Sequence, residues 1–457
     1  MSVTAFTPIE RRAAASLSLV YATRMMGLFL LLPVMSILGQ DLAGATPLLI
    51  GLALGVYGLC QAVFQIPFGL VSDRIGRKPV IYFGLMLFVA GSLVAAVSDS
   101  IWGVIAGRAL QGAGAISAAV MALAADLSRE DQRTKMMAII GASIGLSFIV
   151  SIMLGPALMS HMGLAGIFLL IAALGVLAAL LVRFGVPEPR AGGQNREVSV
   201  IASDLGAILK NRQLQKLDMG ILLLHLLITA TFVCVPLGLL ERGIPAGDHW
   251  QVYLTACLAS LLIMIPLIGL SERGLGIRRV MMISIIGLAV AEFSISTVGD
   301  HWWTIVFAIT LFFGFLNVLE SMLPSLVSRI APVGSRGSAM GVYATSQFSG
   351  AFLGGILGGW AYGELGLATA HILLGVLTLL WLWVIRGMQE PQRSTGYQLP
   401  LDQISPDSIV DTAALEKSIR SVKGVVDVSV MADEGMAYLK INRKLFDEQE
   451  LKAHLAG

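Results

Sequence analysis

The sequence predicts an all-α membrane protein: twelve transmembrane helices in two pseudo-symmetric six-helix halves, followed by a small C-terminal α+β domain. Three observations predict it. Of the 457 residues, 56% are hydrophobic and only 13% charged, whereas a soluble domain carries about 25% charge. Twelve apolar runs each approach the roughly 20 residues that a bilayer requires. From about Tyr397 onward the composition turns polar and mixed in charge.

The runs, numbered as spans one to twelve, are Ala14–Leu38, Leu48–Val71, Pro79–Val97, Ile101–Ala125, Met136–Met159, Leu164–Val186, Leu217–Leu240, Trp250–Leu270, Ile277–Val298, Trp302–Val327, Ser338–Tyr362 and Gly366–Arg386. In lipid only helices or closed barrels satisfy the backbone, and runs of this length mean helices. Arg11 and Arg12 precede the first run, which is too long for a signal-peptide core and is expected to be retained as a span. The 50 glycines suit helices that pack closely in a membrane.

Basic residues set the expected orientation. One series of loops carries Arg74, Arg77 and Lys78; Arg129, Arg133 and Lys135; Arg183, Arg190, Arg196, Lys210, Arg212 and Lys216; Arg273, Arg278 and Arg279; and Arg329 and Arg336. The alternate loops carry only Arg242. Both termini are therefore expected in the cytoplasm. A net charge of +2 suggests no nucleic-acid partner. The three cysteines, Cys60, Cys234 and Cys257, lie in apolar segments without a C-x-x-C pair, so neither a disulfide framework nor a metal site is expected. There is no phosphate-binding loop or nucleophile elbow, which argues against an enzyme.

The connection from Pro187 to Lys216 divides the spans six and six. The expected units are residues 1–186, a linker at 187–216, residues 217–390 and a soluble domain at 397–457. Within the linker, "VSVIASDLGAILKNRQLQKL" spaces its apolar residues helically. It fits either a helix lying on the inner membrane surface or an ordinary linker helix. The halves echo each other. "SDRIGRKPV" (Ser72–Val80) corresponds to "SERGLGIRRV" (Ser271–Val280), and "RTKMMAIIGAS" to "RGSAMGVYATS". Repeats of this kind mark secondary transporters, whose site lies between the halves.

In the tail, "DTAALEKSIRSVKG" reads as a helix ending at Gly424, and "VVDVSVMADEGMAYLKINRK" as two strands turning near Glu434–Gly435. "FDEQELKAHLAG" reads as a second helix. With a strand at "YQLPL" the order is βαββα, a small ferredoxin-like α+β domain.

Gly69, Asp73, Arg74, Gly76, Arg77 and Lys78 form G-x-x-x-D-R-x-G-R-K between spans two and three. This resembles the loop motif of the major facilitator superfamily, and the resemblance covers the whole membrane portion. Arg108, Gln111, Gly112 and Gly114 resemble the span-four motif of its proton-driven members. Gly155-Pro156 resembles the core of the antiporter motif, with Ala157-Leu158-Met159 where a glycine pair would follow. The match is particularly close to a branch of drug/proton antiporters that carries a ferredoxin-like tail. The tail also resembles heavy-metal-associated domains in "SVKGVVDVSV" but lacks their cysteine pair, so no metal is expected there.

The resemblance implies a conformational gate. Asp73 would face the start of span eleven at Gly337–Gly341, and Arg77 would meet Asp126 at the end of span four. It also implies that spans one, four, seven and ten line a central cavity. Ionisable groups inside a membrane are functional candidates because they are expensive there. Arg24, Arg108, His225, Asn317 and Glu320 fall on those four spans, with Glu320 the leading proton carrier and Arg24, Arg108 and His225 setting its field. Glu292 is expected near the outer end of peripheral span nine, within reach of water. Tyr57, Gln61, Phe64, Gln65, Gln111, Phe232, Tyr343 and Gln347 are the candidate substrate contacts, joined by the aromatic Phe148 and Phe348. A mostly apolar cavity suits amphipathic compounds.

The expected function is proton-coupled export of small amphipathic or drug-like compounds by alternating access, powered by the proton gradient with no cofactor, in a bacterial inner membrane. The alternatives are an importer or uniporter of the same fold, or a membrane sensor whose soluble tail is the output. The tail is expected to regulate or assemble the transporter, by self-association or through a regulatory ligand.

Overall fold

The computed structural model describes residues 5–188, 202–299, 301–332, 335–390, 395–401, 412–431, 435–442 and 445–456. Ten long apolar helical stretches lie among them. Two of these, Glu130–Phe184 and Arg336–Ile385, are each broken by one glycine with non-helical backbone. Gly163 has φ 62° and ψ −175°, and Gly366 has φ 76° and ψ 171°. Each stretch is thus two rods joined at a glycine. They account for spans five and six, and eleven and twelve.

Two spans expected to be continuous are not. Span one divides into Pro8–Phe29 and Leu32–Leu38. Pro33 stands in the first turn of the second piece, where its missing N–H costs nothing. Span four divides into Ile101–Ala113 and Ser117–Asp126, with Gly114 to Ile116 outside helix. The break frees the Gly114 carbonyl, which accepts from Arg24 Nη2 at 3.0 Å. Span seven starts earlier than hydropathy indicates, at Arg212, because the Asn211 side chain accepts from the amides of Gln213 and Leu214 at 3.0 and 3.3 Å. The linker contains a separate helix, Ala202–Lys210. Arg190 and Arg196 lie outside the described residues.

The two halves carry matching joints. Gly76 ends span two (Pro47–Ile75) with φ 100° and ψ 153°, and Gly276 precedes span nine (Ile277–Thr297) with φ 86° and ψ 145°. Beyond the first joint, Lys78 Nζ donates to the Val186 carbonyl at 2.9 Å, and beyond the second, Arg278 Nη2 donates to the Arg386 carbonyl at 2.6 Å. Both partners in this second clasp stand 200 positions after their counterparts. Glu188 pairs with Lys78 at 2.6 Å, while Glu390 accepts from the Ile277 amide at 2.6 Å.

The halves meet along a glycine seam at the bundle end opposite the loop motif. A Cβ at Gly51 would strike the Gly355 carbonyl, one at Gly355 the Gly51 carbonyl, and one at Gly359 the Pro47 carbonyl. The backbones of spans two and eleven therefore approach as closely as only glycine allows. Another face of span eleven, with Gly350 and Gly354, presses against the carbonyls of Leu222 and Leu226 in span seven. Phe148 stacks edge-on between Phe29 and Phe232, with centroids 5.1 and 6.1 Å away, and Phe313 lies 6.2 Å from Phe232. These rings join spans one, five, seven and ten.

The tail forms a three-stranded antiparallel sheet. Strands β1 (Thr395–Pro400), β2 (Val425–Met431) and β3 (Met436–Ile441) lie in the order β1-β3-β2. Gly435, at φ 66°, leads into β3, while Glu434 is outside the described residues. Helices Thr412–Ser421 and Glu448–Ala456 accompany the sheet, and Leu399, Ile419, Val428, Leu439 and Leu451 are buried in one core. The alternating strand pattern and the helical spacing of Leu415 and Ile419 place these side chains inward.

Candidate functional site

At the loop motif, Arg77 is the hub. Gly76 leaves the helix in the left-handed region at φ 100°, where a side chain is strained, and this turn brings Arg77 back over the end of span two. Arg77 is 8% exposed. It donates to Ser72 Oγ at 2.8 Å, to Asp73, and through Nε to Asp126 Oδ2 at 3.2 Å. Ser72 in turn donates to the Gly69 carbonyl at 2.7 Å. Lys78 ties the same loop to the end of span six, and Arg74 is exposed. Nearby, Arg129 Nε and the Glu10 carboxylate pair at 3.0 Å, closing span one onto the loop after span four. One arginine between two carboxylates makes a rigid, charge-assisted clamp. Gly337 and Gly341 are buried in the first turns of span eleven.

The polar residues of spans one, two and four form a separate network inside the first half. Arg24 is 1% exposed and donates to Ser117 Oγ at 3.0 Å, Gln61 Oε1 at 2.8 Å and the Gly114 carbonyl. Gln61 donates to Gln65 at 3.0 Å. Arg108 donates to the Ala53 carbonyl at 3.2 Å and to Gln111 Oε1 at 2.8 Å, and its guanidinium lies 4.8 Å from the centroid of the Tyr57 ring. Gln111 donates to Ser92 at 2.7 Å. Tyr57, Gln61, Gln65 and Gln111 are thus buried and engaged with this framework. A buried guanidinium is tolerable when its donors are satisfied, and carbonyls, side-chain amides and the Ser117 hydroxyl take up most of them here, leaving Arg24 Nε without a partner among the described residues. Neither arginine hydrogen-bonds to Glu320.

In the second half, the structure brings together three of the candidate residues. Glu320 Oε2 lies 3.9 Å from His225 Nδ1, and Gln347 Nε2 lies 2.8 Å from His225 Nε2. The three come from spans ten, seven and eleven. The acid–imidazole separation is too long for a hydrogen bond and short enough for strong mutual electrostatics. The Glu320 side chain is 41% exposed, against 17% for His225. Glu320 is therefore the more exposed member, although its Oε2, the oxygen facing His225, is buried. Tyr343 is buried beside them in span eleven. Asn317 turns away, donating to Ser260 of span eight at 3.5 Å. Phe232 belongs to the ring cluster, and Phe64 packs against Phe68 at 6.1 Å.

Glu292 differs from expectation. It is fully buried rather than near water. Thr231 Oγ1 donates to its Oε1 at 2.8 Å, and its Oε2 lies 2.7 Å from His371 Nδ1. The signal for this pair was present in the sequence as two ionisable residues in apolar spans, nine and twelve. No local spacing joins residues 79 positions apart.

A family model described as the Major Facilitator Superfamily matches residues 17–269 and 245–426. The chain is 42% identical over 446 residues to the inner membrane transport protein YajR of Escherichia coli K12, covering 98% of this chain and 97% of that protein. It is 26% identical to the multidrug resistance protein MdtH of Yersinia pestis, covering 74% of this chain and 83% of that protein. Among solved structures, it resembles a bacterial homologue of the human lysosomal transporter Spinster in an inward-facing, occupied conformation. The TM-score is 0.65 at 13% identity, over 84% of this chain and 97% of that one. The nucleoside transporter NupG also matches with a TM-score of 0.65, at 15% identity, over 82% of this chain and 99% of that one.

Proposed function

Because the chain belongs to the major facilitator superfamily of membrane transporters, we propose that it exchanges protons for small amphipathic or drug-like compounds by alternating access, exporting them across a bacterial inner membrane. The observation that carries this is the Glu320–His225–Gln347 cluster, a half-exposed acid against a histidine in the half opposite the arginine network. Proton binding by the pair changes its charge, and with it the cluster's attraction for a cationic or amphipathic ligand. The names of YajR and MdtH support transport in the inner membrane and a drug-like substrate. The basic residues beside the loop motif support placing that end, and both termini, in the cytoplasm. The glycine seam then closes the outer side, and the clamp around Arg77 works on the inner side. The four units 1–186, 187–216, 217–390 and 397–457 are the proposed domains, with the last ferredoxin-like and regulatory.

The test is transport in proteoliposomes under an imposed pH gradient. Glu320→Gln should abolish gradient-driven accumulation while substrate counterflow persists, because only the proton step is removed. Accumulation equal to wild type in that variant would overturn the coupling role of Glu320.

A further inference from the structure

We propose that Glu292 and His371 form a second proton-binding site, loaded from the bundle end opposite the loop motif. Both side chains are fully buried. They lie in spans nine and twelve, and Thr231 of span seven completes the cluster. Glu292 stands five residues before the end of span nine, about 7–8 Å along the helix.

The pair differs from a purely structural ion bridge in one respect. His371 Nε2 has no hydrogen-bond partner among the described residues. His371 also borders a small cavity with Arg242, Ile295, Val298, Ala308 and Leu367. That cavity leaves about 20 Å³ for the centre of a water-sized sphere, enough for about one water molecule. Arg242, Val298 and Leu367 also border a surface depression with Glu241 and Thr369. Arg242, which donates to the Gly238 carbonyl at 2.9 Å, is thus a wall shared by the cavity at the imidazole and the depression at the surface.

The proton balance closes without any other reactant. With the Nδ1 proton on His371 donated to Glu292, the carboxylate has two donors, Thr231 and His371, and the site carries one negative charge. Hydronium, or water carrying an excess proton, gives that proton to Nε2. The Nδ1 proton then passes to Glu292 Oε2, which leaves a neutral acid beside an imidazole protonated on Nε2. One proton has entered from the cavity and the charge has gone from minus one to zero. Both states keep their hydrogen bonds: two donors hold the carboxylate of the first, and the second carries no net charge.

Among the described residues, the groups facing the pair are few. Span seven contributes Cys234, whose sulfur lies 3.8 Å from the Gly358 carbonyl, with Glu241 and Arg242 at its end. Span eleven contributes Tyr362, which donates to Glu241 at 3.0 Å. Span ten presents Ile305, Ala308 and Ile309 to the cavity.

The experiment counts protons bound by the purified full-length protein between pH 9 and 5, using an indicator dye. All variants are made in a Glu320→Gln background, so that the outcome is independent of the Glu320 site. Glu292→Gln is expected to bind about one proton fewer than its parent. Thr231→Val, which keeps the pair and the side-chain shape, is expected to move one step of the titration to higher pH, with a roughly tenfold gain in proton affinity from losing one donor to the carboxylate. Curves for Thr231→Val and the parent that superimpose would overturn the proposal and leave a structural ion pair. That comparison decides the matter even where Glu292→Gln fails to fold.

Discussion

Lys440 of the soluble domain donates from Nζ to the backbone carbonyl of Arg329, 2.8 Å away, at the end of span ten. It also reaches the carbonyl of Ala331. The last carbonyls of a helix lack intrahelical partners and carry partial negative charge, so a lysine is a fitting cap. Lys440 is only 5% exposed, and span ten is the helix that carries Glu320. The soluble domain is thus joined to a helix of the candidate site.

This latch is expected to respond to pH. Burial, helped by the positive charge of Arg336, pushes the Lys440 pKa down from 10.5 to about 8. Undocked, the lysine keeps its ordinary value. Between about 8 and 10.5 the undocked state therefore binds more protons, and docking tightens as pH rises through that window and weakens as it falls. A neutral amine still donates to both carbonyls. Lys440→Met should shift the domain towards the undocked state by about tenfold, the worth of one or two net hydrogen bonds, and abolish the pH response. Spin-label distances between the soluble domain and the end of span ten measure both effects. A pH response that survives Lys440→Met would assign it to another group.

The clamp at the loop motif makes a second prediction. Arg77 shares its donors among Ser72, Asp73 and Asp126. Asp126→Asn removes one charge-assisted bond and is expected to cost about 1.5–3 kcal/mol of stability, read as a lower midpoint of thermal unfolding in detergent. Asp73→Asn is expected to impair turnover more than insertion and to move the population towards the state open at the loop-motif end. Double electron–electron resonance between the ends of spans two and eleven measures that shift. Identical distance distributions in variant and wild type would reduce Asp73 to a local partner of Arg77.

The seam makes a third. A side chain at Gly355 meets the backbone of Gly51 and Gly55, which cannot swing aside as a flexible side chain can. Gly355→Val should prop the seam open, at about 1–3 kcal/mol against the closed form. The expected readouts are a longer label distance between the ends of spans two and eleven on that side, and loss of transport with normal membrane insertion. Wild-type distances with wild-type transport would show that close approach there is dispensable.

Much of the fold is legible in the chain because the bilayer makes each requirement local. A span needs a run of apolar residues, and a turn between spans needs something like Gly163 or Gly366. The loop motif is legible because its charges sit within ten residues. Breaks inside apolar runs are not. Leu30 and Leu31 look like any span interior, and Gly114-Ala115-Ile116 differs little from neighbouring helix. The break in span four makes sense only once Arg24 is seen to fill the freed carbonyl, and Arg24 is 90 positions away. The candidate sites follow the same rule. Glu320 and His225 announce themselves as charges in lipid, but their pairing belongs to helix packing. Gln61, Gln65 and Gln111 were legible as polar groups, while their commitment to the network of Arg24 and Arg108 was not.

The paired clasps bear on biogenesis. Lys78 closes onto Val186 and Arg278 onto Arg386, so each clasp is made between residues of the same half. Neither needs the other half in order to form. The first six helices can consolidate while the rest of the chain is still being synthesised, in keeping with the tendency of chains to fold unit by unit from the N-terminus. The seam between Gly51 and Gly355 is then an assembly step between finished bodies, as in the joining of two subunits. A chain severed in the linker should still yield two partners that find each other in the membrane.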